Sequence, residues 1–119
     1  MPHIPDKWYA FVVAKTYYNE LLEAGVKIYE YTPGFVHAKV WVSDDEKAVV
    51  GTVNLDYRSL YHHFECAVLC YRNSEIAVME ADFRDCVKRS QTVTTEDYRK
   101  QSMVARVAGQ LLRMIGPLM

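Results

Sequence analysis

The sequence predicts a mixed α/β fold in which a single mixed β-sheet is flanked by helices. Three observations support this. Residues 36–43 alternate apolar and polar with the period of a strand. Three other stretches repeat their apolar residues at helical spacing. The strand-like stretches between them are too few for a second layer of sheet, which leaves one sheet with helices on its faces. The whole chain, residues 1–119, reads as one domain, with no internal repeat, low-complexity run or linker.

Taken in order, Asp6 is the expected N-cap of a first helix. Phe11, Ala14, Tyr18, Leu21 and Leu22 form its apolar stripe, and Gly25 is expected to end it as the left-handed residue past its C-terminus. Val26–Tyr31 reads as a strand broken by Pro33-Gly34, and a second strand spans 35–43. Ser43-Asp44-Asp45-Glu46-Lys47 is a hairpin turn leading to a strand at 47–51. Segment 52–62 reads as loop with one helical turn near Tyr57–Tyr61, and Phe64–Tyr71 as a strand apolar enough to be buried. Asn73-Ser74 opens a helix with the stripe Ile76, Met79, Phe83, Cys86 and Val87. Thr94-x-x-Asp97 is a capping signal for a last helix. Val104, Val107, Ala108, Leu111, Leu112 and Ile115 give that helix one apolar face, expected to pack into the core, and Gly116-Pro117 ends it.

One stretch carries chemistry. His37 to Asn54 has the spacing H-x-K-x4-D-x6-G-T-x-N, and Glu65 follows eleven places after Asn54. Six specified positions at fixed spacing recur by chance in roughly one window in ten million. Strand parity points His37 and Lys39 the same way, about 7 Å apart. An imidazole beside a fixed ammonium suits attack on an anionic phosphodiester: His37 supplies the nucleophile or the acid, and Lys39 balances charge on the non-bridging oxygens, work that a metal does in other phosphate enzymes. Thr52 and Asn54 are two residues apart and can donate to the same oxygens, and Gly51 lets backbone approach. Glu65 is placed to accept from an imidazole N–H on a neighbouring strand. Asp44 does not fit this cluster. It lies about 16 Å along an extended strand from Lys39 and at the opposite parity, so it reads as a turn-holding residue that belongs to the motif by spacing.

Composition bounds the rest. Of 119 residues half are hydrophobic, the net charge is −1, and no apolar run approaches the roughly 20 residues of a membrane span. No global basic field is present to recruit nucleic acid or anionic lipid. Three cysteines, Cys66, Cys70 and Cys86, without C-x-x-C spacing, read as free thiols. A zinc site from His62, His63, Cys66 and Cys70 is the alternative, opposed by the adjacency of the two histidines, which point apart on a strand.

The string His37 to Asn54 resembles the phospholipase D superfamily motif. Asn54-Leu55-Asp56-Tyr57-Arg58-Ser59-Leu60, followed by His63-Phe64-Glu65, is similar to the second motif half of the bacterial cardiolipin synthases, and so are the upstream Leu21-Leu22-Glu23-Ala24-Gly25-Val26-Lys27-Ile28-Tyr29 and the ending Gly116-Pro117-Leu118-Met119. The likeness covers nearly all the chain from Trp8 onward. Thr52 stands where serine is usual in the family. The family's enzymes carry two such motifs and membrane-spanning N-terminal segments, so the resemblance implies one phospholipase D-like half-domain. Its partner would be the N-terminal half of the same enzyme, its substrate phosphatidylglycerol, and its parent's place the cytoplasmic side of the bacterial cell membrane. The segment itself would be soluble. The implied reaction uses no metal or cofactor and passes through a phosphohistidine, joining two phosphatidylglycerols to form cardiolipin and glycerol. The implied site is His37, Lys39, Asp44 and Glu65, with Lys39, Thr52 and Asn54 on the phosphate.

Two function classes remain open at this point. One is a transferase half-site or, within the same class, a phosphodiesterase or nuclease working as a homodimer. The other is non-catalytic: an isolated folded half, or a partner-binding domain, that does not turn over alone. Near-neutral charge and the Asn54–Ser59 stretch favour lipid over nucleic acid. Arg58 reads either as a holder of a second lipid phosphate or as a surface ion-pair residue. His62 and His63 read as extensions of the site or as structural residues, and Trp41 as a pocket wall or as packing. Arg106 and Arg113, beside the last helix's apolar residues, raise the alternative of an interfacial helix laid on lipid.

Overall fold

In the computed structural model, which describes residues 1–99 and 102–116, helices accompany two small antiparallel sheets, a mixed α/β arrangement without a closed barrel among the described residues. The chain divides into two units, one from Met1–Val36 and Ser90–Met119, the other from His37–Arg89. In place of a single sheet there is one in each unit. The physical reason is pairing: β1 (Tyr29–Tyr31) takes as its partner β5 (Ser90–Thr92), far along the chain, whereas β2 (Lys39–Ser43), β3 (Lys47–Gly51) and β4 (Ala67–Tyr71) pair only with one another, in the order β2-β3-β4.

The first unit begins with α1 (Trp8–Thr16) and α2 (Tyr18–Glu23) where the sequence predicts one helix. Thr16 accounts for the break. Its hydroxyl donates to the Val13 carbonyl at 2.6 Å, and Tyr17 N–H bonds Ala14 only three residues back. Asp6 is not the cap: Phe11 N–H bonds the Lys7 carbonyl, which makes Lys7 the cap residue, with no side-chain bond. Gly25, at φ +84°, does end α2, with Gly25 and Val26 N–H returning to the Leu22 and Leu21 carbonyls. The core of this unit is Tyr18, Ile28 and Tyr98, with Leu22 and Val93 against it. Tyr18 donates from its phenol to the buried Glu30 carboxylate at 3.0 Å, and Glu30 also meets His3 at 2.8 Å. A buried carboxyl group is tolerable here because both of its oxygens are partnered.

The capping signal at Thr94 opens a short helix of its own, α4 (Thr95–Arg99), with Thr94 and Asp97 exchanging side-chain and backbone bonds. The long helix α5 (Met103–Ile115) follows and packs on α1. Its packed face is not the predicted one. Among the described side chains and glycines of α5, Gly109 is the buried one, so close to α1 that an added Cβ would lie 2.8 Å from Thr16. The stripe Val104, Val107 and Leu111 is exposed, with Met114 at 79 %. Arg113 is spent on this side too, bidentate on Glu20 at 2.6 and 3.1 Å and stacked on the Tyr17 ring. The predicted stop at Pro117 and the terminal Leu118 and Met119 lie outside the described residues.

The second unit is a β2-β3-β4 meander with α3 (Glu75–Lys88) packed against β2. Ile76 and Ala48 are its buried hydrophobics. Strand β3 falls where the sequence predicts it, whereas β2 and β4 begin four and three residues later than predicted. Strand β4 is not buried: Val68 is 64 % and Leu69 68 % exposed within this chain, because β4 is the edge strand and α3 packs at the β2 side.

Candidate active site

The register of the meander builds one end of the site. Lys39 pairs with Gly51, and Gly51 with Ala67, so all three stand in one row across β2, β3 and β4. Gly51 has to be glycine. A Cβ there would sit 2.3 Å from the Cys66 carbonyl oxygen and 2.6 Å from the Ala67 Cα. That close approach lets the next residue, Thr52, clamp the chain ahead of β4. Thr52 N–H donates to the Cys66 carbonyl at 3.0 Å, and its hydroxyl oxygen accepts from Cys66 N–H at 3.1 Å.

The Thr52 hydroxyl proton goes to the Glu65 carboxylate. Hydrogen bonds from Thr52 and then Ser59 hold Glu65 below the usual carboxylate range; partial desolvation opposes them, and the nearby charge of Lys39 assists. Thr52 is therefore committed to Glu65 here, so donation to a phosphate oxygen requires it to change partner.

His37 lies two residues ahead of the first paired residue of β2 and is exposed. Pairing begins only at Lys39, so the ladder does not enforce parity back to His37. What joins the two is a hydrogen bond from Lys39 Nζ to the His37 carbonyl oxygen at 2.7 Å. Asn54 is exposed, two residues past Thr52. Asp44 sits at the far end of the hairpin. Ser43 pairs with Lys47 there, while Lys39 pairs with Gly51 at the site end. Asp44 and Asp45 both adopt left-handed backbone, at φ 55° and 54°, and the Asp44 carboxylate accepts from the Ser43 hydroxyl at 2.9 Å. Trp41 stands two rows from Lys39 on β2, paired with Val49, and is exposed.

Sequence reasoning does not single out Ser59. It is buried in a π-helical turn, Arg58–His62, its N–H bonds the Asp56 carboxylate at 2.7 Å, and its side chain bonds Glu65. Asp56-x-x-Ser59 is the spacing of an aspartate cap and is the one signal that points to it. The same turn places Arg58 Nε 2.6 Å from His63 Nε2. Among the described residues no three His, Cys, Asp or Glu side chains group as metal ligands, so His62, His63, Cys66 and Cys70 do not form the zinc site considered above. The three cysteines are free thiols. No helix among the described residues is long and apolar enough to cross a membrane.

The arrangement has an anchored carboxylate, a lysine held beside a histidine backbone, and a strand row that joins Lys39, Gly51 and Ala67. Comparison with known proteins gives the family. Residues 2–87 match the family model described as cardiolipin synthase, PLD-like domain. Over 119 residues the chain is 52 % identical to an uncharacterized protein from Streptococcus mutans. It is 37 % identical over 118 residues to a cardiolipin synthase from a Geobacillus species and 38 % identical over 119 residues to one from Clostridium perfringens. All or nearly all of this chain is covered in each case, but only 26 %, 24 % and 25 % of the relative, so the chain spans about a quarter of their length. No solved structure matches. The chain belongs to the family of the phospholipase D-like domain of cardiolipin synthases.

Proposed function

We propose that this segment is the phosphatidyl-transfer half-site of a cardiolipin synthase, acting on phosphatidylglycerol together with an N-terminal half that carries a second motif, at a membrane surface. The observation that carries the reading is the Lys39–Gly51–Ala67 row, which sets the motif lysine at the same end of the sheet as the anchored Thr52–Glu65 pair.

In the proposed reaction an imidazole nitrogen attacks phosphorus of the donor phosphatidylglycerol. A P–N bond forms, the P–O bond to glycerol breaks, and the leaving alkoxide takes a proton from the second histidine of the pair. The primary hydroxyl of a second phosphatidylglycerol then attacks the same phosphorus and gives its proton to that histidine. The P–N bond breaks, yielding cardiolipin. His37 is one of the two histidines. Lys39 and Asn54 stabilise charge on the non-bridging oxygens, joined by Thr52 once it leaves Glu65. Glu65 orients the imidazole, and Asp44 holds the turn. With one motif, this chain alone supplies one of the two groups and is inert.

The test is a protein of the relatives' length carrying this segment, incubated with phosphatidylglycerol vesicles. Cardiolipin and glycerol formed in equal amounts, and lost in His37→Ala, support the reading. Cardiolipin formation unchanged by His37→Ala overturns it, and so does a protein that makes none. Turnover by the 119-residue chain as a dimer would favour a homodimeric phosphodiesterase instead.

A further inference from the structure

Arg58 is bound to an imidazole nitrogen where four other arginines are bound to acids. Arg72, Arg84, Arg89 and Arg113 each meet a carboxylate. Arg58 is exposed and gives its Nε–H to the His63 ring nitrogen Nε2 at 2.6 Å. For Nε2 to accept, the imidazole must be neutral with its proton on Nδ1. The contact therefore fixes the guanidinium without cancelling its charge, and both terminal NH₂ groups stay available as a planar fork, the geometry that suits a phosphate.

The contact is built by the π-helical turn. His63 N–H bonds the Arg58 carbonyl five residues back at 2.9 Å, which brings the two side chains alongside. The turn is also tied to the candidate site through Ser59, whose side chain bonds Glu65 while its N–H is capped by Asp56. Glu65 in turn feels the charge of Lys39. An uncancelled guanidinium thus stands on the same loop that anchors the carboxylate beside Lys39.

The transfer proposed above brings together two phosphodiester anions. Lys39 serves the one that reacts; the other keeps its charge throughout and has no group assigned to it. We propose that Arg58, oriented by His63, binds the unreacting phosphate of the acceptor phospholipid. This rests on the transferase reading and adds to it a site for the second substrate.

The test separates acceptors with and without a phosphate. In a protein of the relatives' length, cardiolipin formation uses a phosphorylated acceptor. Exchange of labelled glycerol into phosphatidylglycerol runs the same chemistry with an acceptor that has none. Arg58→Gln is expected to lower cardiolipin formation by about tenfold or more and leave glycerol exchange within about twofold, with Arg58→Lys in between. Equal loss of both, or loss of neither, overturns the subsite. A wild-type protein that performs neither reaction counts against the transferase reading instead. In that event binding decides the subsite: glycerophosphoglycerol should shift the Arg58 Nε–H resonance of the 119-residue chain where glycerol does not, and the absence of a shift overturns it.

Discussion

Thr52 donates its hydroxyl proton to Glu65, thirteen residues further along the chain, and so fastens the end of β3 to the segment that opens β4. The bond has a signature in pH. The folded protein holds Glu65 below its ordinary value of 4.5, so the carboxylate contributes stability that is present above that value and lost as pH falls through the lower folded one. Glu65→Gln should remove this part of the acid sensitivity. Urea midpoints at neutral and strongly acid pH measure it, and a variant with the same acid loss as wild type would show that Glu65 is not the group responsible.

Gly51→Ala should destabilise the second unit by about 1–3 kcal/mol, the usual cost of forcing an atom into a packed site. The new Cβ would meet the Cys66 carbonyl and Ala67, which are backbone and β-carbon atoms with no rotamer to change. Urea unfolding of wild type and variant gives the number. A neutral result would mean that β3 and β4 can move apart without loss.

His37→Ala in a protein of the relatives' length should leave less than about a tenth of cardiolipin formation, since a nucleophile or its matched acid is lost. Lys39→Ala should cost on the order of 10²–10³ in rate, typical of removing one charge-stabilising donor. Rates from labelled phosphatidylglycerol decide both.

Chelators should leave that activity intact, because Lys39 and its counterpart take the charge that a metal would otherwise take. Loss in EDTA with recovery on adding zinc or magnesium would show a metal requirement.

The 119-residue chain alone should show no transfer and should self-associate. Val68 and Leu69 on β4 and Leu111 and Met114 on α5 are exposed in it, and exposed apolar surface favours association, most often as a two-fold dimer. Light scattering and an assay on one sample test both parts. A monomer at high concentration ends the association claim, and transfer at the rate of the longer protein ends the claim of inertness.

What the sequence disclosed follows from where local signals are strong. Strand β3 is bounded by a turn and a required glycine, and its limits are readable to the residue. The Thr94–Asp97 exchange and the left-handed Gly25 are equally local. Strand β5, Ser90-Gln91-Thr92, has no apolar alternation and exists because β1 needs a partner, which no window of sequence reports. The break at Tyr17 comes from one hydroxyl turning back on the helix. The apolar stripe of α5 points to the core on periodicity alone, whereas the helix packs on α1 through Gly109. At the candidate site, spacing points to Lys39, Thr52 and Glu65, and the structure sets them at one end of the second unit's sheet. Ser59 was hidden because a buried serine in a turn looks like any other serine.

The turn at Asp44-Asp45 also decides where insertions can go. Surface loops usually accept extra residues, but this one sets the count between two paired strands. A slip of one residue in β3 against β2 would turn its side chains to the opposite face and take Gly51 out of the row with Lys39. The hairpin should therefore resist length change although its tip lies at the opposite end from the lysine. The six residues between Asp44 and Gly51 then act as a ruler cut by strand pairing, and part of what the motif encodes is a distance.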